Sequence, residues 1–133
     1  MPMRSFKIHP VRDGSVVIYA VDDHQGLTDL YKCILSAVGY RVRTFNDRKE
    51  ALESMRSESN LPNLLVTDCL GGSIPVNEFL DACRHVNPNL RILMASGLHK
   101  HWVTVSADRQ IGFIQKPFLP GEFIEAVQLA LSA

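Results

Sequence analysis

Apolar runs that suit buried strands alternate along the chain with segments whose apolar residues recur every three or four positions. The strand-like runs are 16–21, 41–45, 63–67, 90–95 and 111–115. The third run is apolar on both faces, which is typical of a strand inside a covered parallel sheet. Regular alternation of strands and helices predicts an α/β fold with a parallel sheet between helices, since right-handed crossovers leave few other packings.

The segments between these runs predict the helices. The first helix places one apolar stripe on its inner face and ends at Gly39; the stripe is Leu27, Leu30, Tyr31, Ile34, Leu35 and Val38. Asp47 and Glu50 form a capping-box pattern for the second helix. The third helix spans 76–86, and the last begins at Pro120 and buries Phe123, Ile124, Val127 and Leu131. A fourth helix at 99–108 contains the β-branched cluster around Trp102, so we expect it to be short or mobile.

Composition narrows the class of protein. The 133 residues with 46% hydrophobic content suit one domain at 15–133, preceded by an N-terminal extension, 1–14, without an assignable role. Fourteen basic and fourteen acidic residues balance, so we expect neither nucleic-acid nor anionic-membrane binding. No apolar stretch reaches the ~20 residues of a membrane span, which favours a cytoplasmic protein. Cys33, Cys69 and Cys83 lack metal or disulfide spacing and are predicted to be buried free thiols in a reducing cytosol.

Charged residues stand where the predicted strands end. Asp22 and Asp23 follow the first strand, Asp68 follows the third, and Lys116 follows the fifth. The carboxyl ends of parallel strands meet at one edge of a sheet, where open α/β proteins place their ligand sites. The sequence therefore predicts a pocket with three carboxylates and one ammonium group.

These positions, together with Ser96 after the fourth strand and the sequence Lys116-Pro117-Phe118, resemble the receiver domains of two-component response regulators. The resemblance covers about residues 15–132. It implies a flavodoxin-like (βα)5 fold with the strand order 2-1-3-4-5.

The resemblance also implies a chemistry. Asp68 would accept a phosphoryl group, and Lys116 and Ser96 would contact its oxygens. Neighbouring carboxylates would repel the incoming phosphoryl group unless a divalent cation lay between them, which indicates Mg²⁺. By the family pattern, Asp23 and Asp68 would bind the ion directly, Asp22 through water, and Leu70 through its carbonyl oxygen. Pro117 matches the family's cis proline.

The resemblance implies that phosphorylation switches the protein between two states. Phosphorylation would move Ser96 and Phe113, and the signal would reach the face formed by the predicted fourth helix, the fifth strand and the last helix. A sensor histidine kinase or phosphotransfer protein would donate the phosphoryl group. A downstream effector or a second copy of the chain would dock on the altered face. The chain would then be a phosphoryl acceptor and not a turnover enzyme.

Other interpretations stay open. The chain could be a receiver fold that docks partners without phosphorylation. A hydrolase of the dehalogenase type is disfavoured because position 70 is leucine where a second acid is expected. Single residues also have simpler roles: a loop cap for each aspartate, a solvated charge for Lys116, a turn for Ser96, and an ordinary strand side chain for Phe113. His24 is expected to form a first-turn hydrogen bond and not to bind metal.

Three features of the sequence depart from the family pattern. Gly71-Gly72 gives a looser loop after Asp68. Leu70 and Leu98 offer no polar group to orient water, so slow hydrolysis of the phosphorylated state is expected. Leu119 is a poor cap for the last helix, which should reduce only local stability.

Overall fold

A computed structural model describes residues 15–57, 61–69, 72–97 and 111–132. Five strands and four helices alternate over most of this length. In chain order they are β1 Val17–Val21, α1 Gln25–Ala37, β2 Arg41–Phe45, α2 Arg48–Ser57, β3 Leu64–Thr67, α3 Val76–Val86, β4 Arg91–Ser96, β5 Ile111–Gln115 and α4 Pro120–Ser132.

The five strands form one parallel sheet in the order β2-β1-β3-β4-β5. In its centre, Val66 of β3 lies opposite Ala20 of β1 and Leu93 of β4. The α/β class predicted from the alternating pattern and the 2-1-3-4-5 strand order implied by the resemblance are therefore confirmed. Because every strand runs in the same direction, the residues that follow β1, β3, β4 and β5 reach one edge of the sheet.

Two apolar layers cover the sheet, one on each face. Ala51 and Met55 of α2 pack with Phe79 of α3 on one face. On the other face, Tyr31 of α1 packs with Phe123 of α4, and their ring centroids lie 4.8 Å apart. All residues of β1 and β3 are buried, as expected of strands with helices on both sides.

Two expectations for α1 are wrong. Leu30 was expected on the inner stripe but is 45% exposed, and Cys33 was expected to be a buried thiol but is exposed. The buried face of this helix is narrower than the apolar pattern suggests and follows Thr28, Tyr31 and Leu35. Both misplaced residues lie outside that face. Cys83 is buried as predicted, whereas Cys69 is half-buried.

For the described residues, the observed ends of the strands and helices agree to within one residue with the ends predicted from the sequence. The start of α4 at Pro120 is confirmed, although Ile124 and Leu131 are only partly buried. The predicted helix at 99–108, with Trp102, and the extension 1–14 lie outside the described residues. Among the described helices, none is long and apolar enough to cross a membrane.

Candidate functional site

Three carboxylates meet at the carboxyl edge of the sheet. Asp22 and Asp23 follow β1, Asp68 follows β3, and one oxygen from each of the three lies within 4.8 Å of the others. Backbone bonds extend the sheet pairing to these residues, since Asp22 N donates to Phe45 O at 3.1 Å and Asp68 N to Val21 O at 3.3 Å. Asp22 is buried, Asp68 half-buried and Asp23 exposed. The cluster is therefore fixed by the sheet and opens toward solvent at Asp23.

Lys116 brings an ammonium group into the same cluster from the end of β5. Its Nζ donates to Asp22 Oδ2 at 2.7 Å. Its backbone N–H donates to the carbonyl oxygen of Ser96, also at 2.7 Å, and this bond ties the ends of β4 and β5 together. The peptide bond from Lys116 to Pro117 is cis, as the resemblance implied.

The buried carboxylate of Asp22 is also held by the start of α1. Its Oδ1 accepts a hydrogen bond from the backbone N–H of His24 at 3.0 Å. The His24 ring in turn accepts a bond from the backbone N–H of Leu27 through Nδ1, at 3.2 Å. His24 thus caps the first turn of α1, which is the role that the sequence favoured over metal binding.

A second cation, Arg48, lies in this pocket and was missed by the sequence reasoning. It is the first residue of α2, and its side chain is only 2% exposed. Nη2 donates at 3.0 Å to Asp68 Oδ1 and at 3.0 Å to the carbonyl oxygen of Asp68, while Nη1 donates at 2.9 Å to the carbonyl oxygen of Ile74. One guanidinium group therefore joins Asp68 to the loop between β3 and α3.

The spacing along α2 could have revealed this arginine. Arg48 lies four residues before Leu52 and seven before Met55, so it shares the buried face of the helix. An arginine on an apolar face, at the end of a helix nearest an acidic cluster, needs a counter-charge inside the fold. Asp68 is that counter-charge.

The loop after Asp68 is shaped around the arginine. Gly72 has a φ of +86°, and a Cβ built there would lie 2.8 Å from Arg48 Nη1. Nearby, Ser73 Oγ donates to Asp47 Oδ1 at 2.6 Å, and this bond is the main reason that the pKa of Asp47 is lowered. The start of α2 is thus joined to the loop by a buried contact through Arg48 and by an exposed contact through Asp47.

Burial raises the pKa of Asp68 to about 6, and neighbouring charges act on it in both directions. Arg48 and Lys116 lower it, whereas Asp22 and Asp23 raise it. Removing a carboxylate from water disfavours its charged form, and a neighbouring guanidinium favours it. The charge of Asp68 therefore depends on which other charges occupy the pocket.

Ser96 and Phe113, which the sequence predicted as switch residues, lie on the two strands at one side of the sheet, β4 and β5. Ser96, at the end of β4, is buried, and its Oγ lies 2.9 Å from Cys69 Sγ. Phe113 of β5 is half-buried against the core layer that contains Met94. Leu70 and Leu98 lie outside the described residues. The roles assigned to all these residues from the sequence stay predictions.

Comparisons with known proteins agree with this architecture. The sequence model of the response regulator receiver domain matches residues 18–128. A CheY-like receiver domain protein from Methanospirillum hungatei JF-1 is similar in structure, with a TM-score of 0.78 and 25% identity over 88% of this chain and 94% of that one. A response regulator receiver protein from Sinorhizobium medicae WSM419 is similar with a TM-score of 0.75 and 25% identity. That match covers 89% of this chain and 95% of the other.

NtrX from Brucella abortus is 31% identical with a TM-score of 0.76, and the match covers 89% of this chain but only 27% of that one. No curated protein matches the chain. The fold and the family match define an α/β receiver. The chain belongs to the response regulator receiver domain family, a family of two-component signalling.

Proposed function

We propose that this receiver domain is a phosphoacceptor and that Asp68 carries the phosphoryl group. The observation that supports this most directly is the meeting of Asp22, Asp23 and Asp68 with the ammonium of Lys116 at one edge of the sheet. Phosphoryl transfer depends mainly on positioning and on charge stabilisation of the transferred group. The pocket offers an acceptor carboxylate with cationic groups beside it.

The donor atoms in the pocket suit magnesium. Carboxylate oxygens are hard ligands, and three of them can converge on one point within the 4.8 Å spread of the cluster. Asp22, Asp23 and Asp68 would hold the ion, with Leu70 supplying a carbonyl oxygen by the family pattern. The bound ion would supply positive charge to the oxygens of the transferred group.

Within this proposal, a carboxylate oxygen of Asp68 attacks phosphorus in a phosphohistidine of a sensor kinase or phosphotransfer protein. An O–P bond forms while the N–P bond breaks, and its electron pair leaves with the imidazole, which takes a proton from solvent. The product is an acyl phosphate on Asp68. Attack by water later releases phosphate and restores the carboxylate, so the chain acts as an acceptor and not as a turnover enzyme.

The added charge then changes the surface. Phosphorylation adds about two negative charges and three acceptor oxygens. The ammonium of Lys116 and the hydroxyl of Ser96 would turn toward these oxygens, and Phe113 would follow the movement of β4 and β5. The face formed by the predicted helix at 99–108, β5 and α4 would then bind an effector or a second copy. We expect this exchange in the cytoplasm.

Mass spectrometry of the intact chain after incubation with acetyl phosphate and MgCl2 tests the proposal. The parent should gain the mass of one phosphoryl group, and the gain should disappear with EDTA. Asp68→Asn should gain nothing. Asp29→Asn, which changes an exposed aspartate on α1, is the matched control and should behave like the parent. If the parent gains no mass while it binds magnesium, a docking module that works without phosphorylation replaces this proposal.

A further inference from the structure

Arg48 is a second cation built into the pocket, and it pairs with a different carboxylate from Lys116. Lys116 contacts Asp22, whereas Arg48 contacts Asp68. The Arg48 side chain is 2% exposed, and its guanidinium donates to the carbonyl oxygens of Ile74 and Asp68 and to Asp68 Oδ1 at 2.9 to 3.0 Å. Two of those bonds go to backbone carbonyl oxygens, so the guanidinium is held in place by the fold as well as by Asp68.

The surrounding backbone fits this side chain closely. At Gly72 a Cβ would lie 2.8 Å from Arg48 Nη1, which is closer than side chains tolerate. The φ of +86° at the same residue is one that glycine adopts readily. The β3–α3 loop therefore leaves space for the guanidinium in the position where it meets Asp68.

The net charge of the unphosphorylated pocket indicates how Arg48 affects the binding of a divalent cation. Among the described residues, three carboxylates face two cations, which leaves one net negative charge. Without Arg48 the pocket would hold two net negative charges, and a divalent cation would be attracted more strongly. Once Asp68 carries a phosphoryl group of about two negative charges, a pocket with Arg48, Lys116 and a divalent ion becomes close to neutral.

We propose that Arg48 is a resident counter-ion of Asp68 that weakens magnesium binding to the unphosphorylated pocket, so that the ion is held firmly only once the phosphoryl group has added its own negative charge. The reference to phosphorylation rests on the proposed function, but the effect on the resting pocket does not. Arg48 is a positioning residue in this account, since it acts through Asp68 Oδ1 and leaves Oδ2 as the attacking oxygen.

Calorimetric titration with MgCl2 alone tests the effect on the resting pocket. Arg48→Gln removes the charge and should lower the magnesium dissociation constant about tenfold, because one like charge next to the ion is lost. Arg48→Lys keeps the charge and should stay within about threefold of the parent. Arg56→Gln, the same change at an exposed position of α2, should leave the constant unchanged.

A magnesium dissociation constant for Arg48→Gln within twofold of the parent would overturn the proposal. It would also be overturned if neither the parent nor Arg48→Gln bound magnesium, or if Arg56→Gln produced the same change. Magnesium binding by Arg48→Gln with none detectable for the parent would support it. If Arg48→Gln does not fold, the side-chain NMR signal of Arg48 in the parent decides: it should shift on addition of MgCl2, and an unmoved signal would contradict the proposal.

Labelling with acetyl phosphate gives an independent measurement of the same residue. The magnesium concentration that gives half the maximal labelling rate should fall about tenfold in Arg48→Gln, while the maximal rate itself should also fall because Asp68 loses its positioning contact. Arg48→Lys should lower the maximal rate but leave the half-saturating concentration near that of the parent. If the parent is not labelled at all, the proposed function is wrong, while the calorimetry still judges the role of Arg48.

Discussion

The pocket contains two ion pairs that are built differently. The Lys116–Asp22 pair joins residues that both follow strands, makes one contact of 2.7 Å, and leaves the lysine side chain 22% exposed. The Arg48–Asp68 pair joins a helix start to a strand end, and its arginine side chain is 2% exposed. Arg48 also binds two backbone carbonyl oxygens, one of them in the β3–α3 loop.

The difference indicates a division of roles between the two cations. Lysine carries a compact charge on a flexible stem, whereas arginine presents a rigid fork that can hold several acceptors at once. The partly exposed ammonium of Lys116 can turn from Asp22 to a new anion. The buried guanidinium of Arg48 is part of the folded framework, so its loss should affect stability more.

The strongest test of this comparison removes the buried cation. Arg48→Met should lower the free energy of unfolding by about 3 kcal/mol in EDTA, because Asp68 would be left half-buried without its partner. Urea denaturation followed by circular dichroism measures the change. Arg56→Met is the exposed control on the same helix and should change it by no more than about 0.5 kcal/mol. A loss of less than about 1 kcal/mol for Arg48→Met would contradict a framework role.

A smaller effect is expected from Gly72→Ala. The added Cβ would meet Arg48 Nη1 and would place a side chain at a φ of +86°, so we expect a loss of about 2 kcal/mol. Part of that loss should vanish in the Arg48→Met background, where the contact no longer exists. Urea denaturation of both single variants and the double variant measures the coupling. Strictly additive losses would show that Gly72 is needed only for its backbone conformation.

Removing the more exposed cation should matter less. Lys116→Met should lower the free energy of unfolding by about 1.5 kcal/mol in EDTA, since it leaves the buried Asp22 short of a partner. The effect stays below that of Arg48→Met because the ammonium is partly solvated and Asp22 keeps the N–H of His24. The measurement is the same urea titration, run beside Arg48→Met. If Lys116→Met is as destabilising as Arg48→Met, the proposed division of roles between the two cations is wrong.

The smallest effect should come from the exposed contact between α2 and the β3–α3 loop. Ser73→Ala removes the hydroxyl that donates to Asp47 Oδ1, and we expect a loss of at most about 0.5 kcal/mol because both groups can bond to water instead. NMR titration should show the pKa of Asp47 rising toward its ordinary value. An unchanged pKa would mean that Ser73 is not its main partner in solution.

The same contrast explains what the sequence could and could not predict. Asp22, Asp68 and Lys116 each follow an apolar run, so parallel pairing alone places them at one edge of the sheet. Arg48 has no such neighbourhood in the sequence, because it stands among Asp47, Lys49 and Glu50 and resembles a solvated helix start. Its spacing to Leu52 and Met55 places it on the buried face of α2, but only the packing of the helix against the sheet shows that it reaches Asp68.

Packing also determines which residues of α1 are buried, and this explains the two wrong expectations for that helix. Leu30 belongs to the apolar stripe, and the periodic pattern alone does not fix how wide the buried face is. Cys33 was expected to be buried because free cysteines usually are. The contact between α1 and the sheet buries Thr28, which the pattern did not single out, and leaves Leu30 outside.

For Leu119 the sequence predicted a poor cap of the last helix. The structure shows that Glu122 Oε1 accepts the Leu119 N–H at 2.8 Å.

The central claim is that Asp68 accepts a phosphoryl group, and chemical mapping of the modified residue tests it most directly. The chain is treated with acetyl phosphate and MgCl2 and then with borohydride, which reduces an acyl phosphate to an alcohol. Peptide mass spectrometry should find homoserine at position 68 and an unchanged aspartate at positions 22 and 23. Homoserine at either of those positions, or at none of the three, would contradict the account.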